Sequence, residues 1–134
     1  MVDIELLKRF HTHIGPFVIL GYRIGEYARK EFPENSKIRC EIRIRTSPPV
    51  SCMIDGIQIS TGCTLGRGLI KVIENDGHGV SINFFSSEKS VKIRLREEKT
   101  SRILKMLKEN RINESVDFVM NSDIDELVVS DEKD

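Results

Sequence analysis

The segment FHTHIGP at residues 10–16 places His11 and His13, two of the three histidines in the chain, two positions apart. On one continuous helix the rings would point in nearly opposite directions, because successive residues are rotated by about 100°. If the helix ends near His11, the next residues can be extended and both rings can converge on one metal ion. The pair Gly15-Pro16 favours such a break, since proline fits the first turn of a new helix. The alternative is one packed and one exposed histidine.

A second segment, SCMIDGIQISTGCTLGRG at residues 51–68, also combines groups that can do chemistry. A helix that begins near Cys52 and stops at Gly62 would place Cys52, Asp55 and Gln58 on one side. An ordinary solvated face would carry longer charged side chains, whereas this one offers a thiol, a carboxylate and a carboxamide. The pattern therefore favours a site on this face. The alternative is a small amphipathic helix followed by a tight turn.

The donor atoms in these two segments indicate which metals they can bind. Histidine nitrogen and cysteine sulfur select Zn²⁺ or a similar transition metal over Mg²⁺ or Ca²⁺. The candidate ligands are His11, His13, Cys52 and Cys63. The groups expected to orient these ligands or hold a small molecule are Asp55, Gln58, Thr64 and Arg67. We expect three protein ligands and one open coordination position. Asp55 and Gln58 would have no evident role beside an ion that four protein ligands enclose fully.

The elements that must position these groups follow from hydrophobic periodicity and from turn residues. Helices are predicted at 4–10, at 16–32, from about Cys52 to Gly62, at 100–111, and in DIDELVV after a Ser122 cap. Strands are predicted at 37–45, 65–74, 79–86 and 90–96. Gly21 and Gly25 share one helix face, which predicts close contact with another backbone. Helices and strands alternate without a βαβ rhythm, so we expect a two-layer α+β fold with a mostly antiparallel sheet packed against helices.

Length and composition limit the remaining possibilities. A chain of 134 residues fits one domain, which we assign to residues 1–130, with a loose acidic tail at 131–134. No apolar run is long enough to span a bilayer and no secretion signal is visible, so we expect a cytoplasmic protein without a membrane partner. The formal net charge is zero, and nucleic acid is not an expected partner. Three cysteines argue against a disulfide framework.

Two functions other than metal binding fit parts of the sequence. Residues 89–111 contain nine Lys/Arg against three Asp/Glu, and residues 114–134 contain eight Asp/Glu against one Lys. Such a layout fits a non-catalytic interaction subunit that docks through its basic face. A thiol redox protein is the other alternative. It would need Cys52 and Cys63 to meet although they are eleven residues apart and form no CxxC motif.

Taken together, the two segments resemble the FmdE-like family, proteins related to the FmdE component of formylmethanofuran dehydrogenase. The family pattern is approximately FHGHxxPG…GYR, followed by C-x-x-DAIQ-x-x-TGCT-x-GKGN. The first block is matched by Phe10, His11, His13, Pro16, Gly21, Tyr22 and Arg23. The second is matched by Cys52, Asp55, Ile57, Gln58, Thr61, Gly62, Cys63, Thr64, Gly66 and Gly68. The resemblance covers about residues 5–130.

The sequence also departs from this pattern. Thr12 stands where the pattern has glycine, Gly56 where it has alanine, and Arg67 where it has lysine. No cysteine follows Cys63 in these 134 residues, so we expect the core domain without the C-terminal zinc finger that many members carry.

The resemblance implies an α+β core, a homodimer, and a metal-associated pocket built from the histidine segment and the cysteine-bearing helix. An unidentified small molecule is a further expected partner. The resemblance also implies a link to methanogenesis and to formylmethanofuran dehydrogenase, the molybdenum or tungsten enzyme that fixes CO₂ onto methanofuran. It does not imply a reaction for this domain.

Overall fold

A computed structural model describes residues 1–133 of the chain. Its helices are α1 (Ile4–His11), α2 (Pro16–Arg29), α3 (Met53–Thr61), α4 (Glu97–Lys108), α5 (Ile112–Asn121) and α6 (Ile124–Leu127). Its strands are β1 (Arg39–Ile44), β2 (Ile70–Glu74), β3 (Ser81–Phe85), β4 (Ser90–Leu95) and β5 (Val128–Lys133). A short 3₁₀ turn, Val50–Cys52, leads directly into α3.

The strands form one sheet in the order β2-β1-β3-β4-β5. Only the β1–β2 pair among these strands is parallel, and the other three pairs are antiparallel. Alternating residues of β1, β3 and β4 are buried, and the residues between them are partly or fully exposed. One face of the sheet therefore packs against the helices while the other carries polar side chains. This arrangement confirms the predicted α+β fold with a mostly antiparallel sheet.

Helices α2 and α3 pack with their backbones in close contact, and this contact positions the site described below. A Cβ atom added at Gly21 would collide with the backbone of Met53. One added at Gly56 would collide with the backbone of Val18 and Tyr22. At this crossing only glycine leaves room for the opposite helix. The backbone contact predicted from Gly21 and Gly25 is thus present at Gly21, whereas Gly25 lies against the side chains of Ser60 and Thr61. The crossing sets the spacing between the segments that precede α2 and α3.

Three features of the C-terminal third differ from the sequence-based expectations. The prediction left residues 112–121 outside any helix, but they form α5. At the C-terminal end of α5, the carbonyls of Val119 and Ser122 both accept hydrogen bonds from Arg23 at 2.6 Å. Helix α6 is capped by Asp123 in a capping box with Glu126, not by Ser122. The prediction of a longer helix through DIDELVV was wrong, because α6 ends at Leu127 and the following residues pair with β4.

The sheet also extends further toward the C-terminus than the sequence indicated. Strand β5 pairs with β4 from Val128 to Lys133, so residues 131–133 belong to a strand where a loose tail was expected. Asp134 lies outside the described residues. None of the helices formed by residues 1–133 is long and apolar enough to cross a membrane.

Candidate metal centre

The break between α1 and α2 brings the two histidines to the same place. Asp3 caps α1 by accepting a hydrogen bond from the Leu6 amide, and His11 is the last residue of that helix. Thr12 then adopts a left-handed conformation with φ of 74°. This turn redirects the chain before Pro16 starts α2, so His13 is not on the same helix as His11. The ring centroids of the two histidines lie 4.6 Å apart.

Cys52 reaches the same place from the other segment. It ends the 3₁₀ turn and immediately precedes α3, whose packing against α2 is fixed by the glycine contacts. One ligand atom each from His11, His13 and Cys52 lies within 4.8 Å of the others. Two ligands on one tetrahedral zinc ion are separated by about 3.3–3.8 Å, given the usual Zn–N and Zn–S bond lengths. Small side-chain rotations would therefore bring all three atoms into coordination distance.

The two nitrogens of His11 have different surroundings. Nδ1 lies 2.5 Å from Oδ2 of Asp55 on the first turn of α3. Nε2 is buried and has no hydrogen-bond partner among the described residues. A buried nitrogen without a partner is costly, since it has lost its hydrogen bonds to water. Histidine ligands of zinc characteristically bind a carboxylate through the ring nitrogen that does not coordinate the metal. The His11 environment therefore fits a ring that ligates through Nε2.

Gln58 connects this pair to the loop that follows α3. Its Nε2 lies 3.5 Å from Oδ1 of Asp55, and its Oε1 accepts a hydrogen bond from the Leu65 amide at 3.0 Å. The carboxylate of Asp55 thus has a neighbour on each oxygen, His11 on one and Gln58 on the other. This arrangement restricts rotation of the carboxylate and keeps one oxygen directed at His11.

The Cys52 thiol is partly buried, and its surroundings favour the protonated form. Burial is the main cause that raises its pKa above the ordinary value of 9.0, and the nearby Asp55 carboxylate adds to the effect. A thiolate here would need a compensating positive charge, which a metal ion supplies on binding.

The structure does not bring Cys63 into this group. Its buried thiol lies 3.4 Å from the Ile38 carbonyl, with which it forms a hydrogen bond, and burial raises its pKa. Cys63 follows the C-terminal end of α3, whereas Cys52 precedes the N-terminal end, and nine helical residues separate the two positions by about 13 Å. One ion cannot bind both thiols at that separation. All three cysteines are free, and Cys52 and Cys63 are too far apart for a disulfide without backbone movement.

Thr64 and Arg67 also lie beyond the C-terminal end of α3. The Thr64 hydroxyl accepts a hydrogen bond from the Arg67 amide at 3.3 Å, and the Arg67 guanidinium donates to the Gly62 carbonyl at 3.0 Å. These contacts hold the turn after α3 in shape. Neither side chain reaches the group formed by the histidines and Cys52.

A cavity of about 320 Å³ adjoins the three donors, and several of its lining residues were not foreseen from the sequence. His11, His13 and Cys52 line it together with Leu107 of α4 and Ile112 of α5. Helix α5 was absent from the sequence-based prediction, so its contribution could not be anticipated. The signal that was present is the apolar spacing of residues 112–119, where Ile112, Val116 and Val119 recur at helical intervals.

A family model described as "FmdE, Molybdenum formylmethanofuran dehydrogenase operon" matches residues 10–129. That span begins one residue before His11, includes Cys52, and ends within β5. It covers most of the chain. The chain belongs to the FmdE family.

Two individual proteins are also similar to this chain. The crystal structure of a tungsten formylmethanofuran dehydrogenase FmdE-like protein from Syntrophus aciditrophicus superposes with a TM-score of 0.69 at 19% identity, over 97% of this chain and 69% of that one. At this level of sequence identity, the superposition shows a shared fold and nothing further. A probable S-adenosyl-L-methionine-binding protein from Archaeoglobus fulgidus is 31% identical over 78 residues, which are 56% of this chain. The chain spans only about a fifth of that curated relative's length, since the match covers 21% of it.

One departure from the FmdE pattern lies within the site. Thr12 occupies the position between the histidines where the pattern has glycine, and its φ of 74° falls in the region that glycine tolerates best. The turn between α1 and α2 therefore has its left-handed conformation at a β-branched residue. A side chain of this type is rarely found at positive φ.

The basic region at residues 89–111 forms β4 and α4, and several of its cations have partners within the chain. Arg111 pairs with Glu109 and Glu114 on the surface. Arg102 lies over the Phe118 ring, with its guanidinium carbon 4.4 Å from the centroid. Lys89 donates a hydrogen bond to the Glu31 carbonyl at 2.8 Å. Part of the positive charge is thus engaged in local contacts.

Proposed function

We propose that this FmdE-family domain binds one transition-metal ion, with zinc as the preferred ion. The ligand atoms are Nε2 of His11, a ring nitrogen of His13 and Sγ of Cys52. Three protein ligands leave a fourth coordination position, which water or a small molecule can fill from the adjoining cavity. Two imidazoles and one thiolate form a donor set that prefers Zn²⁺ over hard cations. Of the four candidate ligands predicted from the sequence, Cys63 is not included.

The observation that carries the proposal is the state of His11. Its Nε2 is buried without a partner among the described residues, and Nδ1 is 2.5 Å from a carboxylate. A neutral ring that donates through Nδ1 has its lone pair on Nε2, the atom that a metal requires. Asp55 and Gln58 would then orient the ligand, in keeping with the role predicted for them from the sequence.

A metal in this position would act as a Lewis acid and would lower the pKa of a bound water or thiol. The residues of the chain supply the rest of the site. Asp55 fixes the tautomer of His11 and the plane of its ring, and Gln58 fixes Asp55. Apolar side chains border the donors on the cavity side, while His13 is exposed.

Metal analysis of matched cysteine variants tests the proposal. The protein is purified without chelator, reconstituted with Zn²⁺, desalted and analysed for bound metal. We expect about one equivalent in the wild type and in Cys63→Ser, and a large loss in Cys52→Ser. Less than about a tenth of an equivalent of any transition metal in the reconstituted wild type would overturn the proposal. Equal loss in both cysteine variants would overturn the assignment of the ligands.

The wider biological setting is also a proposal. The family's description and the FmdE-like relative of known structure motivate an association of this domain with formylmethanofuran dehydrogenase. A role in methanogenesis and a cytoplasmic location are proposed from the sequence alone. We further propose that the domain is a homodimer. Size-exclusion chromatography with light scattering, with and without purified dehydrogenase components, tests both points. A monomer that captures no component would contradict them.

A further inference from the structure

The cavity beside the three donors combines a polar end with an apolar body. Its remaining walls are formed mainly by aliphatic and aromatic groups, those of Ile14, Phe17, Val18, Pro49, Leu107 and Ile112. Phe17 and Val18 belong to the buried core at the start of α2. At about 320 Å³ the space exceeds that needed for a single bound water, whose share of liquid volume is about 30 Å³. It is large enough for a small organic molecule.

The charges around this cavity differ from those around the other cavities of the described chain. No lysine, arginine, aspartate or glutamate lines it. By contrast, the cavities on the open face of the sheet include Arg43 together with Arg94 or Lys92. A phosphorylated or polyanionic molecule would find no cation here except the metal itself. An apolar wall also penalises a charged group that it cannot pair.

We propose that this cavity binds a small molecule with an uncharged apolar body and a single anionic metal-binding head group of the thiolate type. The inference rests on the proposed metal site and specifies the chemical class of what binds there. The head group would take the open coordination position, and the body would lie against the side chains of Leu107 and Ile112.

The donor preference of the proposed ion favours a thiolate head group. Zinc and similar transition-metal ions bind thiolate sulfur strongly, so a thiolate suits the open position beside two imidazoles and one cysteine. The Asp55 carboxylate lies against Nδ1 of His11 and does not line the cavity, so the head group would meet no carboxylate in the cavity wall. When a thiol binds, its S–H bond breaks, a metal–sulfur bond forms, a coordinated water leaves, and the proton passes to solvent. No oxidant or reductant is needed.

Titration of the Co²⁺-loaded protein with thiol probes tests the inference. The visible absorption of Co²⁺ reports both metal uptake and replacement of water by sulfur. The probes are phenylmethanethiol, 2-mercaptoethanol and 3-mercaptopropionate, which share the head group and differ in the body. We expect phenylmethanethiol to bind at least about tenfold more tightly than 2-mercaptoethanol, because its ring buries apolar surface. The carboxylate-bearing probe should bind more weakly than both.

Two variants on the same helix locate the effect. Ile112 is 49% exposed and lines the cavity, whereas Met120 is 38% exposed and does not line it, so a charge at either position should leave the fold intact. Ile112→Glu should abolish most of the preference for phenylmethanethiol, and Met120→Glu should retain it. Both variants should take up Co²⁺ normally.

The outcomes separate this inference from the proposed function. If the wild type takes up Co²⁺ but binds the three probes equally, the inference fails and the metal site stands. If the preference survives in Ile112→Glu, the body does not lie in this cavity and the inference also fails. If the wild type takes up no Co²⁺, the proposed metal site fails and the inference falls with it.

Discussion

Oδ2 of Asp55 lies 2.5 Å from Nδ1 of His11, and this contact gives the two ring nitrogens different roles. Nδ1 lies against a carboxylate at the start of α3, while Nε2 is buried without a partner in the described part of the chain. One nitrogen of the same ring lies within 4.8 Å of ligand atoms of His13 and Cys52. Asp55 and His11 are 44 positions apart, so their contact also joins the end of α1 to α3. A single interaction therefore connects the packing of the helices with the position of a candidate metal ligand.

The first prediction concerns this contact. Asp55→Asn keeps the shape of the side chain but removes the negative charge that supports His11. Loss of such a carboxylate costs roughly 10- to 100-fold in metal affinity. We expect a decrease of that size in Zn²⁺ affinity, measured by competition with a chromophoric chelator.

Asp117→Asn is the matched control for this prediction, because Asp117 is exposed on α5 and lies outside the site. It should bind Zn²⁺ as the wild type does. Unchanged affinity in Asp55→Asn would show that the carboxylate does not support a metal ligand.

The second prediction concerns the three thiols. Burial raises the pKa of each above its ordinary value of 9.0, so the thiolate fraction stays small near neutral pH and increases as the pH rises. Only Cys52 is partly exposed, while Cys40 and Cys63 are buried. In the metal-free protein we therefore expect Cys52 to be alkylated first, at a rate that increases between about pH 7 and 9.

Peptide mass spectrometry after timed alkylation measures the order of modification. Addition of Zn²⁺ should protect Cys52 and leave the slow modification of Cys40 and Cys63 unchanged. Modification of Cys63 before Cys52, or protection of all three thiols alike, would contradict this account.

The sequence predicted the parts of the site that depend on local signals. The Gly15-Pro16 pair indicated where α2 begins, and Gly62 indicated where α3 ends. Helical spacing correctly predicted that Asp55 and Gln58 share a face. These features depend on residues within one or two turns of each other, which is the range over which periodicity and capping carry information.

The parts that the sequence did not predict depend on tertiary contacts. Cys63 falls in the same motif block as Cys52, yet the full length of α3 separates them. The pairing of β5 with β4 requires a partner some forty residues earlier, and no local signal distinguishes that strand from a short helix. Helix α5 contributes Ile112 to the cavity because it packs against α2 and α4, and Arg23 of α2 donates hydrogen bonds at its C-terminal end.

The third prediction tests the helix crossing. In Gly21→Ala the new Cβ atom would meet the backbone of Met53, so α2 and α3 must move apart. Overpacking of this kind typically costs about 1–3 kcal/mol in the free energy of unfolding. The same shift separates His13 from Cys52 and should weaken Zn²⁺ binding. Gly66→Ala, where a Cβ atom meets nothing within 4 Å, should change neither quantity.

Urea denaturation and metal competition on the same samples measure both effects. Loss of stability without loss of Zn²⁺ affinity would mean that the crossing supports the fold but does not set the spacing of the donors.

The last prediction concerns Thr12, which holds a φ of 74° between the two histidines. A left-handed conformation costs a non-glycine residue about 1–2 kcal/mol, and glycine at this position would remove that cost. Glycine also has more conformational entropy in the unfolded chain, which lowers the stability gained by about 0.5–1 kcal/mol. We therefore expect Thr12→Gly to raise the free energy of unfolding by roughly 0.5–1 kcal/mol. The measurement uses the metal-free protein, because bound metal would add its own stabilisation. Asn110→Gly, at φ of 61°, should gain less, since asparagine tolerates this conformation better than threonine. A Thr12→Gly protein no more stable than the wild type would mean that contacts of the threonine side chain offset its backbone strain.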